Sequence, residues 1–431
     1  MREAMHGLTT RGRSFLGAGA AAAVCAVLFG DRDLMRVAVL VLALPLVSAV
    51  VVSRTRYRLA SSRRMEPSRT PAGQQARVVL RLENVSRLPT GLLLLEDRIP
   101  YLLGARPRFV LDRVEPQGVR EVAYAVRSDL RGRFAIGPLT IRLTDPFGMC
   151  ELVRSFTSTD TFVVTPAIEE LASLALGGEW TGSGDSRSRS IASAGEDDVI
   201  TREYRRGDDL RRVHWRSTAR YGTIMVRREE RPWEARAVVL LDTRAVAHRG
   251  EGPGSSFEAA VSVAASIGVY LGRAGFAVQL VTDSGSRLSG VLGTGGSADH
   301  DLTGTHEELL LDELAVVQTS AGLSLRTAEP VLRGAGDGLT VAVLGAVSVQ
   351  EAADLVRMRH GSGGAAAVVL DVDTWRPPPS HQRGRTGDAA GAVAVLRAAG
   401  WRVVPLGAGQ PLASAWPLIA HSSNAFAPGS P

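Results

Sequence analysis

Ala237-Val238-Val239-Leu240-Leu241 is an unbroken apolar run with no polar residue to mark a solvent face. A run this short and continuous reads as a strand buried on both sides. Four more follow it, at Phe276 to Val281, Leu339 to Leu344, Ala365 to Leu370 and Trp401 to Leu406. Helical stretches separate them at Phe257 to Arg273, His306 to Val317, Val349 to Arg359 and Asp388 to Ala399. Strand and helix in alternation predict an α/β domain over residues 237–410, with a mostly parallel sheet covered on both faces. The connections Ser284 to Gly304 and Trp375 to Gly387 are long and rich in Gly, Ser and Pro, and read as mobile. Residues 411–431 read as a C-terminal tail, disordered from His421 onward.

Upstream the period changes. Arg120 to Val126 alternates cleanly and Ala76 to Leu82 in part, while Thr140 to Leu143 and Thr161 to Val164 supply further strands. Turn residues at Asn84 to Ser86, Glu115 to Gly118 and Arg131 to Arg133 divide the runs. A small β-sandwich-like region over residues 54–170 is expected, with an open sheet as the alternative.

The first residues read differently again. After a basic N-terminus, residues 1–13, come two apolar runs, Ser14 to Gly30 and Leu34 to Val52, each close to the length a membrane-crossing helix needs. Arg2, Arg11 and Arg13 precede the pair and Arg54, Arg56, Arg58, Arg63 and Arg64 follow it, whereas the link Asp31-Arg32-Asp33 has no positive excess. This pattern predicts a transmembrane helical hairpin over residues 14–53. Two spans in the plasma (inner) membrane would leave both ends, and the bulk of the chain, in the cytoplasm. A cleaved signal peptide ending near Ala18-Gly19-Ala20 is the alternative, but the second run would still anchor the chain. Lipidation at Cys25 fits poorly, because Val24 precedes it. Cys25 and Cys150 are too few for a disulfide framework or a four-thiolate zinc site, and Cys150 reads as a small buried residue, not a nucleophile.

The chain has 431 residues, 45% hydrophobic and 22% charged, which fits folded domains and neither a disordered chain nor a polytopic transporter. Its 50 cationic residues are all arginine. The absence of lysine excludes a Walker A loop, a pyridoxal Schiff base and a Ser-x-x-Lys centre, each of which needs a primary amine. The formal charge of +6 does not make a nucleic-acid stripe, since Glu229, Glu230 and Glu234 lie among Arg227, Arg228, Arg231 and Arg236. His300 and His306, with Asp299, Asp301 and Glu307, have metal-ligand types but read as a solvated turn. Gly334-x-Gly336-x-Gly338 precedes a strand and so is not a dinucleotide fingerprint.

The densest cluster of charged and aromatic residues lies within residues 171–236. It runs Arg202-Glu203-Tyr204-Arg205-Arg206-Gly207-Asp208-Asp209-Leu210-Arg211-Arg212-Val213-His214-Trp215-Arg216-Ser217-Thr218-Ala219-Arg220. It resembles the signature of domain-of-unknown-function family 58, in which Arg-Glu-Tyr-x-x-Gly-Asp precedes Arg-x-Ile-(Asp or His)-Trp and Thr-Ala-Arg. Gly137-Pro138, Asp145-Pro146-Phe147-Gly148 and the hairpin resemble the membrane-anchored branch of that family. Gly207-Asp208-Asp209 suits a tight turn whose carboxylates pair with Arg211 or Arg220, and Trp215 offers a face to bury or to stack an arginine. One reading is a structural ion-pair knot or partner-binding surface with no catalytic residue; the other is a hydrolase-like centre on Asp208, Asp209 and His214.

The resemblance implies that residues 237–410 are similar to a von Willebrand factor A domain. There Asp-x-Ser-x-Ser would hold Mg²⁺ through hard oxygen ligands. Here the positions read Asp242-Thr243-Arg244-Ala245-Val246, so no metal or other cofactor is expected and Asp242 should pair with Arg244 or cap a turn. The resemblance further implies a non-enzymatic accessory or scaffold protein that works with a MoxR-type AAA+ ATPase, and with a transglutaminase-like membrane protein, in bacterial cell-envelope assembly.

Overall fold

The computed structural model describes residues 7–54, 59–87, 89–145, 147–173, 201–204, 213, 215–227, 236–288, 300–334, 338–359, 363–375 and 389–421. The chain divides into two compact units, Met1–Thr165 and Pro166–Pro431.

The first unit opens with helices α1 (Thr10–Phe29) and α2 (Arg32–Arg54), both long and apolar enough to cross a membrane. The 20 residues of α1 extend about 30 Å, the thickness of a hydrocarbon layer. The turn between the helices is polar for a local reason: Asp31 Oδ1 accepts the backbone N–H groups of Asp33 and Leu34, which have no partner within the helix.

The strands that follow form three antiparallel or mixed sheets. In the first, β3 (Gln75–Asn84) lies between β1 (Leu59–Glu66) and β6 (Val119–Arg127). The second has β10 (Asp160–Thr165) between β2 (Arg69–Pro71) and β7 (Gly132–Ile136). The third orders β5 (Arg108–Leu111), β4 (Leu93–Asp97), β8 (Leu139–Thr144) and β9 (Glu151–Ser155). Period-two alternation on β3 buries Ala76, Val78, Leu80 and Leu82. The first two pack with Phe134, Ile136, Phe162 and Val164 of the second sheet, and the last two with Leu93, Leu95, Ile141 and Leu143 of the third. One sheet therefore backs two others, a division that alternation alone does not reveal.

Arg63, grouped by the sequence with the topology-setting arginines, belongs instead to this interior. Its side chain is 3% exposed and forks onto Asp97, with Nε 3.1 Å from Oδ2 and Nη2 2.7 Å from Oδ1. Nη1 reaches Asp160 and the carbonyl of Ile136, and the Tyr124 hydroxyl donates to Asp97 at 2.6 Å. One guanidinium thus ties strands of all three sheets. Burial would lower its pKa, but the Asp97 carboxylate outweighs that and raises it; burial followed by the Asp97 contact also raises Tyr124.

In the second unit a five-stranded parallel sheet has the order β14 (Ala277–Thr282), β13 (Arg236–Leu241), β15 (Leu339–Leu344), β16 (Ala365–Leu370) and β17 (Arg402–Leu406). Alternate residues go to opposite faces. Val239, Leu241, Val341 and Val343 pack with α4 (Ser256–Arg273), α5 (His300–Leu314) and α9 (Leu412–His421). Val238, Leu240, Ala342 and Leu344 pack with α6 (Glu329–Gly334), α7 (Val349–Met358) and α8 (Ala389–Ala398).

Two assignments at the margins change. Residues from His300 onward start α5, so part of the connection read as Ser284 to Gly304 is helical; Asp299 lies outside the described residues, and Glu307 pairs with Arg273 at 2.7 Å. Residues Leu412–His421, read as tail, form α9, whose Trp416 is fully buried against Tyr270 with ring centroids 5.3 Å apart. Its amphipathic pattern is short and interrupted by Pro417, which hides it in sequence. Glu169 accepts the Ala413 N–H at the start of this helix, so Pro166 onward belongs here and not to the β-rich region read as ending at 170. Most of the connection read from Trp375 to Gly387, and the chain beyond His421, lie outside the described residues. Replacing a fully buried Trp leaves a large cavity, so Trp416→Ala should cost roughly 3 to 5 kcal/mol. The loss would be read by denaturant unfolding of the detergent-solubilised chain, with amide exchange on β17 accelerating first.

Candidate functional site

In the parallel sheet the chain leaves β13 on one side to form β14 and returns on its other side to form β15. Ligands of open α/β sheets sit at the carboxyl ends of strands at such a reversal. Here the strands end in Leu241-Asp242, Thr282-Asp283 and Leu344-Gly345.

Asp242 is fully buried and Arg244 is 1% exposed. The guanidinium grips the carboxylate with both edges, Nε 2.8 Å from Oδ1 and Nη2 2.9 Å from Oδ2. Nη1 pairs with Glu351, and Nη2 lies 3.4 Å from the carbonyl of Ala346. Glu351 is fixed from its own helix. Ser348 caps α7 and the carboxylate Oε2 accepts both its N–H and its hydroxyl at 2.9 Å, a capping box. Burial alone would lower the Arg244 pKa, but the hydrogen bonds and charge of Asp242, then Glu351, raise it. Gly345 lets the strand ends close on this group: a Cβ there would sit 2.3 Å from the carbonyl of Ala247, while its N–H donates to Asp242 Oδ2 at 3.3 Å.

Around this pair the polar groups are matched. Buried Asp283 accepts the Thr243 N–H at 2.9 Å, the Thr243 hydroxyl, and the Ser320 hydroxyl at 2.8 Å. His248 Nε2 lies 2.7 Å from the Asp242 carbonyl, which makes it the donor, so Nδ1 is left to accept from Ser256 at 3.3 Å. Burial, ahead of the opposing Asp242 contacts, lowers the His248 pKa and favours this neutral form. A divalent cation would need the Asp242 oxygens that Arg244 holds, and a fixed positive charge stands in its place. The residues present therefore do not fit the Mg²⁺ centre that an A domain would carry here. Among the described residues no group of three His, Cys, Asp or Glu side chains converges as a metal site.

The described part of the signature segment has a two-stranded sheet of its own. β11 (Thr201–Glu203) pairs antiparallel with β12 (Met225–Arg227), placing Arg202 opposite Val226 and Glu203 opposite Met225. The Tyr204 N–H continues the pairing to the Ile224 carbonyl at 2.8 Å. Between the strands α3 (Trp215–Tyr221) is tied down by Thr218, whose hydroxyl accepts the Met225 N–H at 3.0 Å. Trp215 is 74% exposed, contrary to a buried or arginine-covered ring, and Tyr221 and Ile224 are exposed beside it in sequence. Arg220 is exposed and its guanidinium lies 5.9 Å from the Tyr221 ring centroid. Gly207, Asp208, Asp209, Arg211 and His214 lie outside the described residues.

Residues 200–301 match the family described as Protein of unknown function DUF58. The matched segment takes in both the signature and the Asp242–Arg244 cluster. No curated protein matches the chain. Among solved structures, a CARDB domain from Pyrococcus furiosus is 12% identical, covering 25% of this chain and 88% of that one at a TM-score of 0.19. The alkylpurine DNA glycosylase AlkC of Pseudomonas fluorescens is also 12% identical, covering 31% and 39% at 0.18. Likenesses this weak bear on neither fold nor function.

Sequence reasoning singled out Asp242 and Arg244 but not Glu351, Asp283, Ser320 or His248. A signal existed for two of them: Ser348-x-x-Glu351 opens a helical stretch and Asp283 directly follows a strand. Removing one member of a buried pair strands the other, so Arg244→Ala should destabilise this unit by roughly 3 to 5 kcal/mol. Arg244→Lys should recover only part of that loss in denaturant unfolding, because an ammonium cannot span both Asp242 oxygens. The His248 shift sets a pH dependence. Since the folded state resists protonation, the unfolded state binds more protons below its ordinary pKa of about 6.5, and stability falls as pH drops through that value. Thermal midpoints between about pH 7 and pH 5 should show this slope, and His248→Gln should flatten it. Asp354, held at about 2 mainly by its hydrogen bond from Arg326, adds a separate loss only at more acid pH.

Proposed function

We propose that this protein is a membrane-anchored, non-enzymatic accessory or scaffold protein whose von Willebrand factor A-like α/β domain binds protein partners from the cytoplasmic side. A MoxR-type AAA+ ATPase is the expected partner, with a transglutaminase-like membrane protein as a further component of envelope assembly. The observation that carries the reading is the exposure of Trp215, with Tyr221 and Ile224, on the DUF58 signature. Exposed apolar residues concentrated in one short segment mark interaction surfaces, and Trp and Tyr dominate the energetics of protein interfaces. The self-contained Asp242–Arg244–Glu351 cluster fits the same reading. It occupies the place where an open α/β sheet receives a small ligand and leaves the surface to do the binding. Hairpin length, apolarity and flanking arginines support the anchor and its orientation.

Crosslinking in membranes, followed by purification of the full chain, should recover the ATPase. Trp215→Ala should reduce that recovery about tenfold or more, the effect of a hot-spot loss above 1.4 kcal/mol, while leaving the thermal midpoint unchanged. Failure to recover any such ATPase would remove the partner assignment. A reporter fused after Pro431 should be active only in the cytoplasm; activity outside the cell would overturn the orientation.

A further inference from the structure

The residues Asp145, Phe147 and Gly148 take no part in the sites above, yet this turn is fastened to the start of the first apolar helix. Thr9, the N-cap of α1, donates its hydroxyl to the Gly148 carbonyl at 2.7 Å and its N–H to the Met149 carbonyl at 3.0 Å. On the other side of that bridge the Glu151 N–H donates to the Gly7 carbonyl at 2.7 Å. The contact is close enough to exclude side chains: a Cβ on Gly12 would lie 2.3 Å from the Met149 carbonyl oxygen. The turn is also internally rigid, because Asp145 accepts the N–H groups of Phe147 at 3.1 Å and Cys150 at 2.6 Å. Met149 and Cys150 are buried by this arrangement, whereas Phe147 is 59% exposed.

We infer that Phe147 is an interfacial membrane contact, seated among lipid headgroups and the first acyl carbons, and that the turn fixes the β-rich unit against the bilayer surface. The inference rests on α1 crossing the membrane. If it does, Arg11 and Arg13 set the hydrocarbon boundary near Ser14, so Thr9, roughly 7 to 8 Å further along the helix, and the turn bonded to it lie at headgroup depth. Exposed Arg11 comes to the same turn, its Nη1 3.8 Å from where a methyl on Gly148 would sit. An exposed aromatic residue and a guanidinium at one turn match the two chemistries of the interface, apolar carbons below and phosphates above. Continuity with the helix identifies a lipid surface, not a protein, as what covers Phe147.

The full chain carrying Cys25→Ala, with buried Cys150 retained, would be labelled with an environment-sensitive NBD group at Phe147→Cys, Ala20→Cys or Tyr101→Cys. Each variant is reconstituted in mixed phosphatidylcholine and phosphatidylglycerol vesicles containing lipids that carry a doxyl quencher either near the headgroup or deep in the acyl chain. Ala20 lies roughly 16 Å along α1 from Thr9 and should be quenched most by the deep group. The label at 147 should lose fluorescence chiefly to the shallow group, and the one at exposed Tyr101 to neither. Adding Gly12→Leu should abolish quenching at 147 and leave that at 20 intact. Deep quenching at 20 with none at 147 overturns the inference while the membrane reading stands. No quenching at 20 removes the membrane reading and the inference with it.

Discussion

A fully buried carboxylate with a guanidinium across both its oxygens organises the carboxyl end of the parallel sheet in the α/β unit. Burying the sheet on both faces leaves the strand termini as the places where polar groups collect, and Asp242 follows the interior strand β13 with no access to water. Uncompensated, that charge would cost several kcal/mol. Arg244 supplies the counter-charge from two residues away. Meeting both Asp242 and Glu351 then fixes the neighbouring pieces, since Glu351 is locked to the cap of α7 and Asp242 also receives the Gly345 N–H. Positions of two strand ends and one helix thus follow from one side chain.

The β-rich unit uses the same device. Arg63 forks onto Asp97 as Arg244 does onto Asp242, and in each case a further carboxylate takes the remaining nitrogen. A chain without lysine has only guanidinium groups for its ion pairs, and their planar donors can serve two acceptors in fixed directions. A compact ammonium could neutralise one of these sites but could not hold three sheets, or two strand ends and a helix, in register.

The difference between what sequence showed and what it hid follows the range of the interactions. Strands β13 to β17 and helices α4, α7 and α8 were legible because continuous apolar runs and 3.6-residue periods are local and strong. Asp242 with Arg244 was legible for the same reason, since the partners are two residues apart. Glu351 lies 107 residues from Arg244, and Asp97 lies 34 from Arg63, so no local pattern joins them. Arg63 was misplaced because a basic cluster after a hydrophobic run looks alike whether its members face headgroups or a core. The helix over Leu412–His421 was missed because it is short, contains Pro417, and owes its stability to burial of Trp416.

Two constraints of different origin bear on the hairpin. If the two helices cross a membrane, as proposed, the arginines at both outer ends, with none in excess at the turn, put the two ends on one side of it. Independently, Gly7 and Thr9 before α1 are hydrogen-bonded to residues 148–151, which come after α2 in the chain. That contact is impossible if only one of the two helices crosses. A single crossing would place Thr9 and Met149 about 30 Å apart across the hydrocarbon layer. The bonds therefore require that both helices cross or that neither does, and under the proposed double crossing it is the arginine distribution that would select the side of the β-rich unit.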